Sequence, residues 1–127
     1  MKITIKPVKG LDGQIFRVPE REAGDVVKDE AGNPVMRDGT TVDMIDLAIF
    51  NIPGQFFTRQ DAIHAQRLYN QAHDATDGVM DIKDTEYKWL MKKLADDNIG
   101  PKIFRANLMP VEEALKGDKP ADETPED

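Results

Sequence analysis

A chain of 127 residues, 39% hydrophobic and 32% charged, is long enough for one soluble domain with a small core. No apolar run approaches the roughly 18 residues of a membrane span, and without cysteine there is no disulfide framework, thiolate metal site or cysteine nucleophile. A net charge of −7 argues against direct nucleic-acid binding, because neutralising phosphates supplies most sequence-independent affinity.

The charge is uneven. Residues 1–40 carry seven basic and seven acidic groups, 41–115 eight and twelve, and 116–127 two and five. Acidity keeps a protein soluble; it also suits a chain that meets a basic protein surface or imitates nucleic acid. The N-terminus, MKITIKPVKG, alternates and lacks the apolar stretch of a signal peptide. Cytoplasmic residence is therefore expected.

Residues 2–8 alternate, with Ile3 and Ile5 on one face, and read as a half-buried strand. Pro7 cannot donate a ladder hydrogen bond and points to a sheet edge. Gly10–Gly13 reads as a turn and Gln14–Val18 as a second strand, giving a first hairpin. Residues 19–25, PEREAGD, read as a polar connection. A second hairpin is expected from Val26–Lys28, a turn at Glu30–Asn33 and Pro34–Arg37.

Thr41–Ile52, TVDMIDLAIFNI, is the central helix. At about 100° per residue Val42, Ile45, Ala48, Ile49 and Ile52 share one arc, and Met44, Leu47 and Phe50 fall outside it. A helix apolar almost all round belongs inside a core. Thr40 or Thr41 caps its start, with Asp43 in the first turn, and Pro53-Gly54 ends it.

Thr58 with Asp61 three positions on resembles a capping box and opens a helix to about His73. Ala62, Ala65, Leu68, Tyr69 and Ala72 share its inner face, with Ile63 off it. Residues 74–83 read as a loop with a brief extended contact at Val79, Met80 and Ile82. A third helix runs from about Asp84 to Ala95, with Tyr87, Leu90, Met91 and Leu94 inward. Asn98–Pro101 breaks it. Ile103, Phe104 and Leu108 are core candidates. A last helix starts at Pro110 and stops at Gly117. Residues 117–127 contain two prolines and no large apolar residue, and are expected to be a disordered acidic tail.

Catalytic and metal chemistry finds little purchase. The acidic loop Asp74–Asp81 lacks the spacing of a calcium loop: if Gly78 takes the sixth position, His73 and Ala75 fall where oxygen ligands belong. It reads instead as a turn in which Gly78 supplies a left-handed backbone. His64 and His73, nine apart, are too far along one helix to share a metal, and both read as solvated. Asp61 lies one turn before His64 and is placed to bond it. No nucleophile, phosphate loop or cofactor motif accompanies them. Enzymatic work would require a cleft where His64 or His73 meets carboxylates.

Trp89 lies about 200° round its helix from Tyr87, among Thr85, Lys92, Lys93 and Asp96. A lone tryptophan on a polar face reads as an anchor for a protein partner, since tryptophan is enriched at binding hot spots. The alternative is that another part of the chain covers it.

The stretches VVKDEAGNPVMRDGTTVDMIDLAI, RQDAIHAQRLYNQA, VMDIKDTEYKWLMKKL and GPKIFRANLMPVEEAL follow an order. In layout it resembles small uncharacterised proteins of tailed bacteriophages and prophages. The resemblance implies a phage origin and a non-enzymatic role in virion assembly or as a minor structural component, and carries over no site residues.

The reading is thus a single α+β domain over 1–116, β-rich over 1–40 and helical over 41–116, with small N-terminal hairpins beside three or four helices. It acts through a protein partner or self-association, without cofactor, metal, membrane or nucleic acid. An acidic inhibitor that occupies a basic site on a host protein is the alternative.

Overall fold

Thr40 begins the central helix. Its backbone N–H donates to Asp43 Oδ2 at 2.8 Å, satisfying a group the first turn would leave open, and α1 runs over Thr41–Asn51 before Pro53-Gly54 turns the chain away. The structure, a computed structural model, describes residues 1–117, so the expected disorder of the tail lies, from 118 on, outside the described residues.

The architecture is α+β: short antiparallel strand pairs in the N-terminal part, then helices. The first hairpin differs from expectation. The expected pairing is reduced to one bridge just past the first strand, Lys9 with Ile15, and the Phe16 N–H donating to the Val8 carbonyl at 2.9 Å. Strand β1 (Lys2–Thr4) pairs instead with a strand from the far side of the chain, Val79–Asp81, with Ile3 opposite Met80. Both side chains are buried, so this register delivers two apolar groups onto the helices, which a local hairpin would not do. The loop supplying the distant strand folds as a tight hairpin of its own. Asp77 and Gly78 both have positive φ, 55° and 74°, and the Thr76 and Val79 backbones bond each other in both directions.

Strand β2 (Arg17–Pro19) pairs with Met36–Asp38. Between them the polar stretch expected to be a plain connection is itself a hairpin. Within it β3 (Arg21–Glu22) pairs with β4 (Asp25–Val26) around Ala23-Gly24. The second expected hairpin survives as a bridge from Lys28 to Pro34, closed by Asp29, whose Oδ1 accepts from the Ala31 and Asn33 backbone N–H groups. In chain order Met36–Asp38 is β5 and Val79–Asp81 is β6.

Helix α2 (Arg59–His73) starts at Thr58, whose hydroxyl accepts from the Asp61 N–H while Asp61 Oδ2 accepts from the Thr58 N–H. This is the reciprocal pair the spacing predicted. Helix α3 (Asp84–Ala95), α4 (Gly100–Phe104) and α5 (Leu108–Ala114) follow. The last begins two residues before Pro110, because a 3-10 turn over Arg105–Asn107 feeds into it. One core joins all parts, with Ile3, Val8, Met44, Ile45, Leu68, Met80, Ile82, Leu90, Leu94, Ile99, Val111 and Leu115 almost wholly buried. None of the described helices is long and apolar enough to cross a membrane.

Helix α1 is not surrounded. Thr41, Met44, Ile45, Ala48 and Ile49 face inward, but Leu47 is 38% exposed and Phe50 is 69% exposed. The helix lies over α2 with one apolar side left to solvent, and that side matters below.

Gly100 is the tightest contact in the frame. A Cβ built there would run into the Leu94 carbonyl oxygen, where α3 ends and α4 begins. Gly100→Ala is expected to lower stability by about 1–3 kcal/mol, the usual cost of overpacking. Urea unfolding followed by the emission of the single tryptophan checks this: the midpoint should fall while the slope stays unchanged.

Candidate functional site

The tryptophan-centred patch on α3 comes apart in the structure. Trp89 is buried, 9% exposed, and its indole N–H donates to Asp61 Oδ1 at 2.9 Å. Lys93 turns the same way, donating to Asp61 Oδ2 at 2.9 Å and to the Phe56 carbonyl at 3.1 Å. Thr85, Lys92 and Asp96 do stay exposed, and Asp96 Oδ1 accepts from the Asn98 N–H to close the end of α3. Trp89 is therefore no surface anchor. The helix face that looks polar in projection is an interface of polar groups satisfying one another beneath α2.

His64 is likewise not a solvated histidine. Its Nδ1 lies 3.2 Å from Glu86 Oε2, and its ring stacks on Trp89 at 5.9 Å between centroids. An ionised carboxylate only accepts, so Nδ1 carries the hydrogen. Glu86 is buried and also accepts from the Gln71 amide at 3.1 Å. Burial alone would raise its carboxyl, but the Gln71 and His64 hydrogen bonds and the nearby Arg67 charge hold it below the usual range. Asp61, placed by sequence to bond His64, is engaged by Thr58, Trp89 and Lys93 instead. Its burial would raise it, and those three donors overcome burial and hold it well below the ordinary carboxylate range. This α2–α3 network is saturated and internal: its geometry binds helices, not ligands.

The open site is on the other side of α2. The exposed edge of α1 and the near edge of α2 bound a groove of about 430 Å³. Its floor is Ala62 and Ala65, its walls Ile49, Phe50, Ile52 and Tyr69, and Phe57 closes one end. The alanine stripe lets α1 approach over Ala65 and Ala72, while Ala62, nearest the connecting turn, stays uncovered. Small side chains there leave a slot.

Phe50 stands between this groove and a second cleft of about 790 Å³, which lies between the β2–β5 ribbon and α1. Phe50 and Tyr69 line both, and their rings meet edge-on at 5.9 Å and 74°. The cleft is edged by two charged pairs. Arg37 grips Asp43 with both guanidinium arms at 2.8 Å, which raises the guanidinium pKa. Burial works against the Asp43 carboxyl, but Arg37 and the Thr40 N–H pull it below its ordinary value. His73 Nε2 sits 2.9 and 3.0 Å from the two Asp46 oxygens, with its ring 4.2 Å from that of Tyr69. Burial and the nearby Asp43 charge raise the Asp46 carboxyl against the pull of His73 and Arg37, and its pKa lies above the ordinary value.

So His73, like His64, meets a carboxylate, and it does so at a cleft, which sequence spacing did not reveal. Two hydroxyl residues line this cleft, Thr40 and Tyr69, and Thr40 spends its side chain and N–H on Asp43. What the arrangement offers is an aromatic ridge with an apolar slot on one side and fixed charges on the other. No protein-family model, curated protein or solved structure matches the chain.

The internal network has a measurable signature. Asp61's stabilising contribution is present above its unfolded pKa of about 4 and is lost as pH falls toward its depressed folded value. Asp61→Asn is expected to cost about 1.5–3 kcal/mol at neutral pH, the range for hydrogen bonds to a charged group. It should also flatten the acid limb of the stability profile below about pH 4. Denaturant titrations at several pH values, read by Trp89 emission, decide both.

Proposed function

We propose that this chain is a non-catalytic, phage-type protein that works by protein–protein interaction through its α1–α2 face, in virion assembly or as a minor structural component. The observation that carries the reading is Phe50: a phenylalanine 69% exposed, seated between an apolar groove and a charge-edged cleft. Leaving such a ring in water is unfavourable, by about 1.5–3 kcal/mol relative to full burial. An aromatic centre with an apolar pocket and a polar rim is the composition of a binding hot spot. Leu47, 38% exposed on α1 and lining the same cleft, extends the apolar area. The layout shared with small phage proteins supplies the biological setting, and the partner is a particle protein or a second copy.

The alternative, an acidic mimic seated on a basic host site, asks for carboxylates free to stand in for phosphates. The four most firmly placed carboxylates are instead committed within the chain: Asp43 to Arg37, Asp46 to His73, Asp61 to Lys93 and Glu86 to His64. That commitment favours the docking reading over the mimic.

The test is a tagged pull-down from host lysate with and without phage proteins, at low and high salt. Phe50→Ser should abolish recovery of particle proteins while shifting stability by less than about 1.5 kcal/mol, the upper value of an aromatic pair contact. Recovery of a basic host enzyme released by salt and indifferent to Phe50 would favour the mimic. Unchanged particle-protein capture by Phe50→Ser would remove this face from the interface.

A further inference from the structure

A third cleft, of about 730 Å³, opens where the N-terminal segment passes α5. Lys6, Lys9 and Lys116 line it with a single acid, Glu113. Lys116 is paired with Glu113 at 3.3 Å. Lys6 and Lys9 are exposed and make no ion pair among the described residues. Three lysines converging on one cleft is an anomaly in a chain of net charge −7. Three like charges gathered with one acid leave the cleft net positive, which raises the local potential and attracts acidic chain.

The chain brings its own acidic segment to this place. Gly117 lines the cleft, and its position is fixed: φ is 95°, and an added Cβ would press on the Met1 side chain and the Lys2 carbonyl. The described residues thus end on the cleft's rim. The sequence continues as DKPADETPED, five acids to one lysine over ten residues. Ten residues reach about 33–36 Å at full extension, ample to span a cleft that begins at residue 117. A short tether also gives an effective concentration on the order of millimolar, enough for weak exposed ion pairs to hold without another apolar contact.

We propose that the Lys6–Lys9–Lys116 cleft is a docking site for acidic peptide chain and that its occupant is this protein's own segment 118–127. The pairing neutralises the basic cleft and denies it to foreign polyanions. An acidic partner would have to displace the segment first. The inference does not depend on the α1–α2 docking face.

Absence of cysteine makes the test clean, because Thr124→Cys in the full chain gives one attachment point for a nitroxide. Paramagnetic broadening of backbone amides is then read at low and high salt, against a diamagnetic control. The expected result is broadening strongest at Lys6–Lys9 and falling at least twofold in Lys6→Gln/Lys9→Gln and at about 0.5 M salt, where the screening length is only a few ångströms. Both lysines are exposed, so that double variant keeps its fold, as Trp89 emission will report. Broadening that decays evenly with distance from Gly117 and ignores the lysine substitutions overturns the proposal. So does broadening that appears only when labelled and isotope-enriched chains are mixed, which would place the segment on a second copy.

Discussion

Asp61 is the side chain on which the rest of the helical frame depends. One carboxylate caps α2 through the Thr58 N–H, accepts the Trp89 indole from α3 and holds the Lys93 ammonium. Through Lys93 it also reaches the Phe56 carbonyl, and so fixes the turn between α1 and α2. Burying an unpaired charge there would be prohibitive; burying one that accepts three charge-assisted or strongly oriented hydrogen bonds is stabilising. No buried side-chain nitrogen or oxygen among the described residues lacks a partner, so the network is complete rather than compromised.

The open face follows from that lock. Because Lys93 holds Phe56, the neighbouring Gly54 and Phe57 stand at the end of the α1–α2 groove in a set position. Because α3 occupies the Asp61 side of α2, α1 must pack on the other, and its eleven residues span only about 16 Å against about 22 Å for the fifteen of α2. A short helix over a longer one cannot cover every alanine of the facing stripe. Ala62 is left open beside Phe50. The rigid, saturated side of α2 and the unsatisfied apolar side are thus two results of one packing choice, and only the second has anything to offer a partner.

The helical frame was legible in sequence because its signals are local. Thr40 and Thr58 with carboxylates three residues on, Pro53-Gly54 and Asn98–Pro101 act on their own neighbours whatever the rest of the chain does. The strand pairing was not, because β1 meets β6 across nearly eighty residues and Ile3 gives no hint that Met80 is its partner. Trp89 was misread for a related reason. Projecting one helix reports which side chains share a side, not what covers that side, and Lys93 and Glu86 look solvated until Asp61 and His64 arrive from another element. Phe50 carried a signal that was there to be used. It lies outside the inward arc of α1 and is apolar, and so cannot be buried unless a further layer exists on that side. With α2 and α4 packed on the opposite face of α1, none of the described elements covers Phe50, which stays 69% exposed.

Charge completes the picture. Four acids with fixed geometry are committed within the fold, each paired with a histidine, lysine or arginine. Most of the other acids are spread along the sequence before residue 117 and five follow it, while Lys6 and Lys9 at the opposite end of the sequence make no ion pair among the described residues. Gly117, the last described residue, sits against Met1 and Lys2 and lines the cleft that holds Lys6 and Lys9. Surface ion pairs contribute little to stability, typically about 0–1 kcal/mol each. The lysines gathered at that edge therefore bear on what approaches it more than on what holds the fold together.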